Sequence, residues 1–286
     1  MQFLLTEKSR RDNKLAAFEN SRAGRLAFVG MKGAAHRWLV SHLTGFTLMI
    51  VVIPSVMAAG AHSERVGDAW QTWHGAKLLG RVLVTGGYER PRPLNVLKSR
   101  KFCGATVPNE TLLISADGGL RNAVITLHPV DRIVTAPPGR VVLDNRQCAF
   151  VPHVQVATVG SELALKNSDP ILHTVHARMG KETLFNVGLP TWRQVTKRLE
   201  RAGVVRIDCD VLHTWMSAAI MVVVTPYFSV TDASGAISFE GLPAGVYEME
   251  VWHERFGVKK TRVNLPENSV VAVDVVFGSG AAQPNK

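Results

Sequence analysis

The chain has 286 residues, 46% of them hydrophobic and 20% charged, which excludes a disordered composition and leaves room for one large or two ordinary domains. Its three cysteines cannot build a disulfide-dense mini-protein or two four-cysteine zinc sites. Thirty-three basic against 23 acidic residues give +10, an excess that suggests nucleic acid until its location is known.

Residues 1–58 carry eight of the cations (Lys8, Arg10, Arg11, Lys14, Arg22, Arg25, Lys32, Arg37) against Glu7, Asp12 and Glu19. Half the excess therefore lies in a leader, and residues 59–286 net only +5, which calls for no nucleic-acid partner. An apolar stretch of 11 residues at 43–53 is followed by Pro54, Ser55 and two small-x-small sites, VMA at 56–58 and AGA at 59–61. These three parts predict a secretory signal peptide over 1–61 with a long basic region. The apolar stretch is short for a membrane span. The alternative is an uncleaved signal anchor, the one expected tie to a membrane. Met31 offers a conventional start, which would make residues 1–30 an extension. The expected location is the periplasm or another exported compartment, where disulfides persist.

Residues 62–78, with Trp70 and Trp73, read as a linker. From Leu79 onward the chain becomes a series of short β-branched runs, at 81–85, 123–127, 154–158, 162–166, 204–208, 219–224, 247–251 and 271–276. Several alternate apolar and polar residues, the period of a half-buried strand, and Gly, Pro, Asn and Asp separate them. The predicted class is all-β, built from sandwiches. Residues 279–286 read as a polar tail.

Two segments carry chemistry. NSDPILHTVH at 167–176 holds His173 and His176, and CDVLHTWM at 209–216 spaces Cys209, His213 and Met216 as C-x3-H-x2-M. A thiolate, two imidazoles and a weak thioether form the ligand set of a type 1 copper site, and zinc rarely recruits Met. The expected ligands of one copper ion are His173, Cys209, His213 and Met216, with no position open to a substrate and so no enzyme activity. The bland alternative makes Cys209 a small buried hydrophobe and the others packing. His173 and His176 stand three apart, so a strand sends them to opposite faces. His173 is taken as the ligand and His176 as its alternative. His153, in VPHV at 151–154, reads as a structural or supporting residue near the site.

The stretches CAFVPHV at 148–154, NSDPILHTVH, GVVRIDC at 203–209 and HTWM at 213–216 make residues 129–225 resemble a cupredoxin, nearest to those labelled methylamine-utilisation proteins. The resemblance implies a Greek-key sandwich, the same four ligands with Met216 axial, and single-electron transfer between redox protein partners. Thr174 stands where cupredoxins often place an Asn that ties the ligand loops. A binuclear copper centre would need a second Cys where Val205 stands. With Cys209 assigned to copper, Cys103 and Cys148 pair by arithmetic as a disulfide; the alternative is two buried thiols.

Residues 231–251, with turn cues at Asp232–Gly235 and Leu242–Gly245, resemble a carboxypeptidase regulatory-like, transthyretin-like module. Its usual first strands are missing just upstream but are present at Gly80–Val84 and Asn122–Leu127. The expectation is a split sandwich over 79–128 and 226–278 with the copper domain inserted. Trp252, His253 and Glu254 form a polar-aromatic cluster, either a second metal or docking site or a packed histidine. The rival functions are a copper chaperone or store, and a metal-free structural β module.

Overall fold

A computed structural model describes residues 75–278; the leader, nearly all of the linker and the tail lie outside the described residues. The chain is all-β, as its alternating runs predict. Strand β1 (Ala76–Val84) opens the described part, taking in three residues that the sequence reading left in the linker. Ala76, Leu78, Val82 and Val84 point into one core. An excursion follows: β2 (Leu94–Asn95), the single-turn α1 (Arg100–Cys103) and β3 (Thr106–Val107). Then comes β4 (Val124–Pro129).

The middle of the chain holds β5 (Arg140–Arg146), β6 (Ala149–Val151), β7 (Val154–Thr158), β8 (Ser161–Asn167), β9 (His173–Met179), β10 (Glu182–Leu189), β11 (Gln194–Leu199), β12 (Gly203–Asp208) and β13 (Ser217–Val223). They pair only with one another, as a five-stranded sheet β10-β9-β12-β13-β7 and a four-stranded sheet β11-β8-β5-β6. Leu143, Phe150, Leu163, Leu165, Val175 and Ile207 fill the space between these sheets.

The remaining strands return to the start of the chain. They are β14 (Phe228–Val230), β15 (Ala236–Leu242), β16 (Gly245–His253), β17 (Gly257–Leu265), β18 (Val270–Ala272) and β19 (Val275–Phe277). β1 pairs antiparallel with β15 and parallel with β18 and β19, while β4 lies between β14 and β16. Residues as far apart as Lys77 and Val270 thus share a sheet, and the sandwich of β1, β4 and β14–β19 brackets the other in sequence. Gly80 is required where β18 gives way to β19: a Cβ there would meet the Val273 carbonyl oxygen at 1.9 Å. The 232–235 turn is tied by Asp232 Oδ1, which accepts from the Ser234 and Ala236 amides.

Besides the two-stranded β2-β3 ladder, the sheet holding β4 packs on both of its faces. β4 is buried on both faces, Ile125 and Leu127 facing the β1 sheet and Val124 facing the five-stranded sheet. Val124 and Trp252 pack there with Val154, Val156, Ala219 and Val223. A shared apolar layer, not a bare linker, joins the two sandwiches. The excursion departs from the sequence reading, which left it with the split sandwich. Val96 and Val107 instead bury in the core of the middle sandwich, and Cys103 is bonded to Cys148 there.

Candidate metal centre

The alternation of β9 decides the orientation of its histidines. His173, Val175 and Ala177 face the core, while Thr174, His176 and Arg178 face away. His173 is fully buried beside β12, whose end delivers Cys209. The loop from Cys209 to β13 then brings His213 back, with Leu212 in the left-handed region (φ 64°) and the Met216 amide donating to the His213 carbonyl at 2.9 Å.

Three donor atoms converge. Cys209 Sγ lies 3.9 Å from His173 Nδ1 and 3.7 Å from His213 Nδ1, and the two Nδ1 atoms are 3.1 Å apart. Among the described residues this is the one group of three such donors close enough to hold an ion. All three residues are at most 4% exposed.

Each imidazole has its outer nitrogen occupied, which frees the inner one. His173 Nε2 donates to Asp169 Oδ2 at 2.9 Å, and Asp169 also accepts from the Gln147 and Cys148 amides at 2.6 and 2.9 Å. His213 Nε2 faces Ser99 Oγ at 3.4 Å. The Trp215 ring lies 4.9 Å from the His213 ring and its Nε1 donates to the Cys148 carbonyl at 3.0 Å. Cys148 therefore touches the supports of both histidines.

Charge follows this layout. Burial, with the neighbouring His173 and Lys98 cations adding to it, pushes His213 down to about 4, so its ring is neutral near pH 7. Burial works against the His173 cation, but the Asp169 carboxylate and the Cys209 sulfur outweigh it and raise its pKa. Burial likewise opposes the Cys209 thiolate, yet His173 and the Thr174 amide hold its pKa below the usual thiol value. A thiolate and two ring lone pairs aimed at one another in a dry site suit a shared cation. Edges of 3.1–3.9 Å are those of three donors each standing about 2.0–2.3 Å from one ion.

The other residues singled out from sequence fall in distinct places. Thr174 spans the two ligand segments: its amide and hydroxyl lie 3.4 and 3.7 Å from Cys209 Sγ, and the hydroxyl accepts from the Asp210 amide at 2.6 Å. Met216 is buried in the same core at the end of the ligand loop. His176 is on the outer face, bonded to Asp210 and Thr183, away from the cluster. His153 hydrogen-bonds none of the three donors. Its Nε2 meets Glu254 Oε1 at 2.5 Å and its Nδ1 the Ser217 carbonyl at 3.0 Å, across the junction of the two sandwiches. Cys103 and Cys148 are disulfide-bonded with Cα atoms 5.6 Å apart, and Cys209 is the free thiol. In the 252–254 cluster His253 is packed, its ring against Phe256.

Three residues with a part in the site had no role in the sequence reading. Asp169 sits four positions before His173 inside the same motif, and that spacing was its one available signal. Trp215 lies within the C-x3-H-x2-M loop. Ser99 is 114 positions from His213, and nothing in the sequence joins them.

No family model matches the chain, and no curated protein matches it. Its structure is similar over about a third of its length to solved copper proteins. The purple cupredoxin of Nitrosopumilus maritimus is 20% identical, with 30% of this chain and 99% of that one covered, at a TM-score of 0.26. The amicyanin of Paracoccus versutus is 16% identical, with 35% and 97% covered, at a TM-score of 0.27. The copper-containing nitrite reductase of Thermus scotoductus SA-01 is 19% identical, with 34% and 25% covered, at a TM-score of 0.27.

Proposed function

We propose that the protein is an exported mononuclear copper protein that relays single electrons between redox protein partners. The observation that carries this reading is the convergence of His173 Nδ1, Cys209 Sγ and His213 Nδ1 in a buried site. Met216, buried in the same core, would be the fourth and weakest ligand. Bound copper would supply a centre that gains or loses one electron with no bond made or broken and no proton moved. The chain's residues supply the rest. Soft sulfur favours Cu(I) and imidazole favours Cu(II), so one donor set serves both states. Asp169, Ser99 and Trp215 fix the rings before any ion arrives, which keeps rearrangement on electron transfer small. Burial of all three donors shields the ion they would hold, which supports the role of a carrier. The disulfide fits an oxidising compartment, in line with export.

The cargo reading, a copper chaperone or store, uses the same ligands. It is disfavoured by the segment over His213, which a disulfide anchors and which would stand in the way of handing an ion on. The test is the absorption spectrum and voltammetry of copper-loaded protein. An intense thiolate-to-copper band with reversible one-electron reduction is expected, and Cys209→Ser should lose the band entirely. Colourless Cu(I) binding without reversible redox would favour cargo. A Cys209→Ser protein that binds copper like the wild type would remove the site.

A further inference from the structure

In the middle sandwich His213 is the ligand delivered by a loop, yet it is only 1% exposed. Its outer nitrogen is covered by a segment reaching in from the split sandwich. Ser99 precedes the single-turn α1, the place where a serine hydroxyl ordinarily caps a helix. Here it makes no capping hydrogen bond; its backbone adopts φ 59°, and the hydroxyl faces His213 Nε2 instead. A left-handed conformation costs a non-glycine residue roughly 1 kcal/mol, so the surroundings must hold it. Cys103, at the end of α1, is anchored to Cys148.

The outer face of this cover combines exposed apolar and basic side chains. Leu97 and Phe102 are 70% and 44% exposed. Between them stand Lys98, Arg100 and Lys101, all exposed and in no ion pair among the described residues. From Arg90 to Pro108 the chain has five cations (Arg90, Arg92, Lys98, Arg100, Lys101) and no acidic residue. That equals the whole net excess of residues 59–286, so the remainder of the exported part is neutral overall. Three of the five, Lys98, Arg100 and Lys101, lie on the cover of the donor cluster, one side chain away from it, while Arg92 is paired with Glu89.

We infer that residues 97–103 are the docking surface for an electron-transfer partner with an acidic face, and that the partner reaches the centre through Ser99 and His213. This rests on the copper reading above. The partner's carboxylates would meet Lys98, Arg100 and Lys101 around an apolar middle of Leu97 and Phe102, and one electron would cross with no bond or proton changing place. Charge of one sign gathered at a contact steers encounter and makes it salt-dependent.

The test has two parts, each using the triple variant Lys98→Gln/Arg100→Gln/Lys101→Gln and a control that removes equal charge from β17, Lys259→Gln/Lys260→Gln/Arg262→Gln. First, poly-glutamate binding to the metal-free protein is measured by calorimetry at low salt. The cover variant should bind at least tenfold more weakly and the control like the wild type. Second, electron exchange of copper-loaded protein with anionic ferrocyanide should be faster than with cationic hexaammineruthenium at matched driving force. That preference should fade with salt, fall about tenfold in the cover variant and survive in the control. Equal losses in both variants, or none in either, overturn the inference. Protein that takes no redox-active copper overturns the reading beneath it, whereas copper that cycles normally with rates indifferent to the cover charges overturns the docking surface alone.

Discussion

The two sandwiches treat their buried polar groups differently. In the split sandwich the hydroxyls of Thr225, Thr231 and Tyr247 donate to the carbonyls of Leu127, Leu120 and Pro243 at 2.6–2.7 Å, and an apolar core surrounds them. In the middle sandwich a carboxylate, two imidazoles and a thiol are buried at one end, and three of their donor atoms face each other without a proton to share among all of them. The first arrangement satisfies these hydroxyls locally and only makes a fold. The second would be satisfied as a set by a cation, and its supports include Ser99 from the excursion. Buried donor atoms that face one another rather than the backbone are therefore the mark of the candidate site.

The largest test of this division is the disulfide. Cys103 belongs to the excursion and Cys148 to the middle sandwich, and they are 45 positions apart. Loop closure of that length is worth about 4 kcal/mol in the unfolded chain. Cys103→Ser/Cys148→Ser should lose about that much stability in denaturant titration. It should also expose the His213 side, seen as faster hydrogen exchange in 97–103 and 209–216 and not in β15–β17. A uniform rise in exchange would mean that the shared layer makes the two sandwiches one cooperative unit.

A smaller test concerns the junction, where two histidines have opposite signs. His253 is buried with its Nε2 unpartnered, and burial pushes it down to about 4 from 6.5. Between those values the native protein binds fewer protons than the unfolded chain, so stability rises with pH through that window and is lost as pH falls. The shift corresponds to about 3 kcal/mol. His153 is the reverse: burial disfavours its cation, but Glu254 outweighs that and raises its pKa. Its contribution is complete below about 6.5 and fades as pH rises past its folded value. Denaturant midpoints from pH 4 to 8 should show a steep acid loss that His253→Phe flattens, and a shallow alkaline loss that His153→Gln removes. An unchanged acid slope in His253→Phe would place the acid-sensitive element elsewhere.

How far the sequence reaches follows from the range of each signal. The all-β class lies in alternation over five to eight residues, which a strand must show if one face is buried. The separation of His173 from His176 lies in the same period, since β9 puts them on opposite faces. The three donors were legible because two share one loop and the third has its own motif. What stayed hidden depends on pairing over long separations. Ser99 over His213, His153 against Glu254 and the packing of Val96 and Val107 on the middle core are tertiary facts with no local pattern. His153 read as a structural or supporting residue, and the carboxylate that meets its ring comes from Glu254, 101 positions away.

The most local test isolates the metal end. Asp169 is 2% exposed and accepts three hydrogen bonds, two from backbone amides and one from His173 Nε2. Its carboxylate fixes the ring so that Nδ1 faces the cluster, and its charge makes that nitrogen a stronger donor. Asp169→Ala would strand the two amides as well and unfold the turn, so Asp169→Asn is the sharper change. It keeps one acceptor oxygen but removes the charge. Copper affinity by chelator competition should fall 10- to 100-fold, the usual cost of losing such a partner. The thiolate-to-copper band should persist in shape, since Cys209 and the Thr174 contacts are untouched. Thermal unfolding of the split sandwich should be unmoved, because Asp169 has no hydrogen bond to it. An unchanged affinity would mean that the pairing of β9 with β10 and β12 alone aims His173, and that the carboxylate serves only the turn at 147–148.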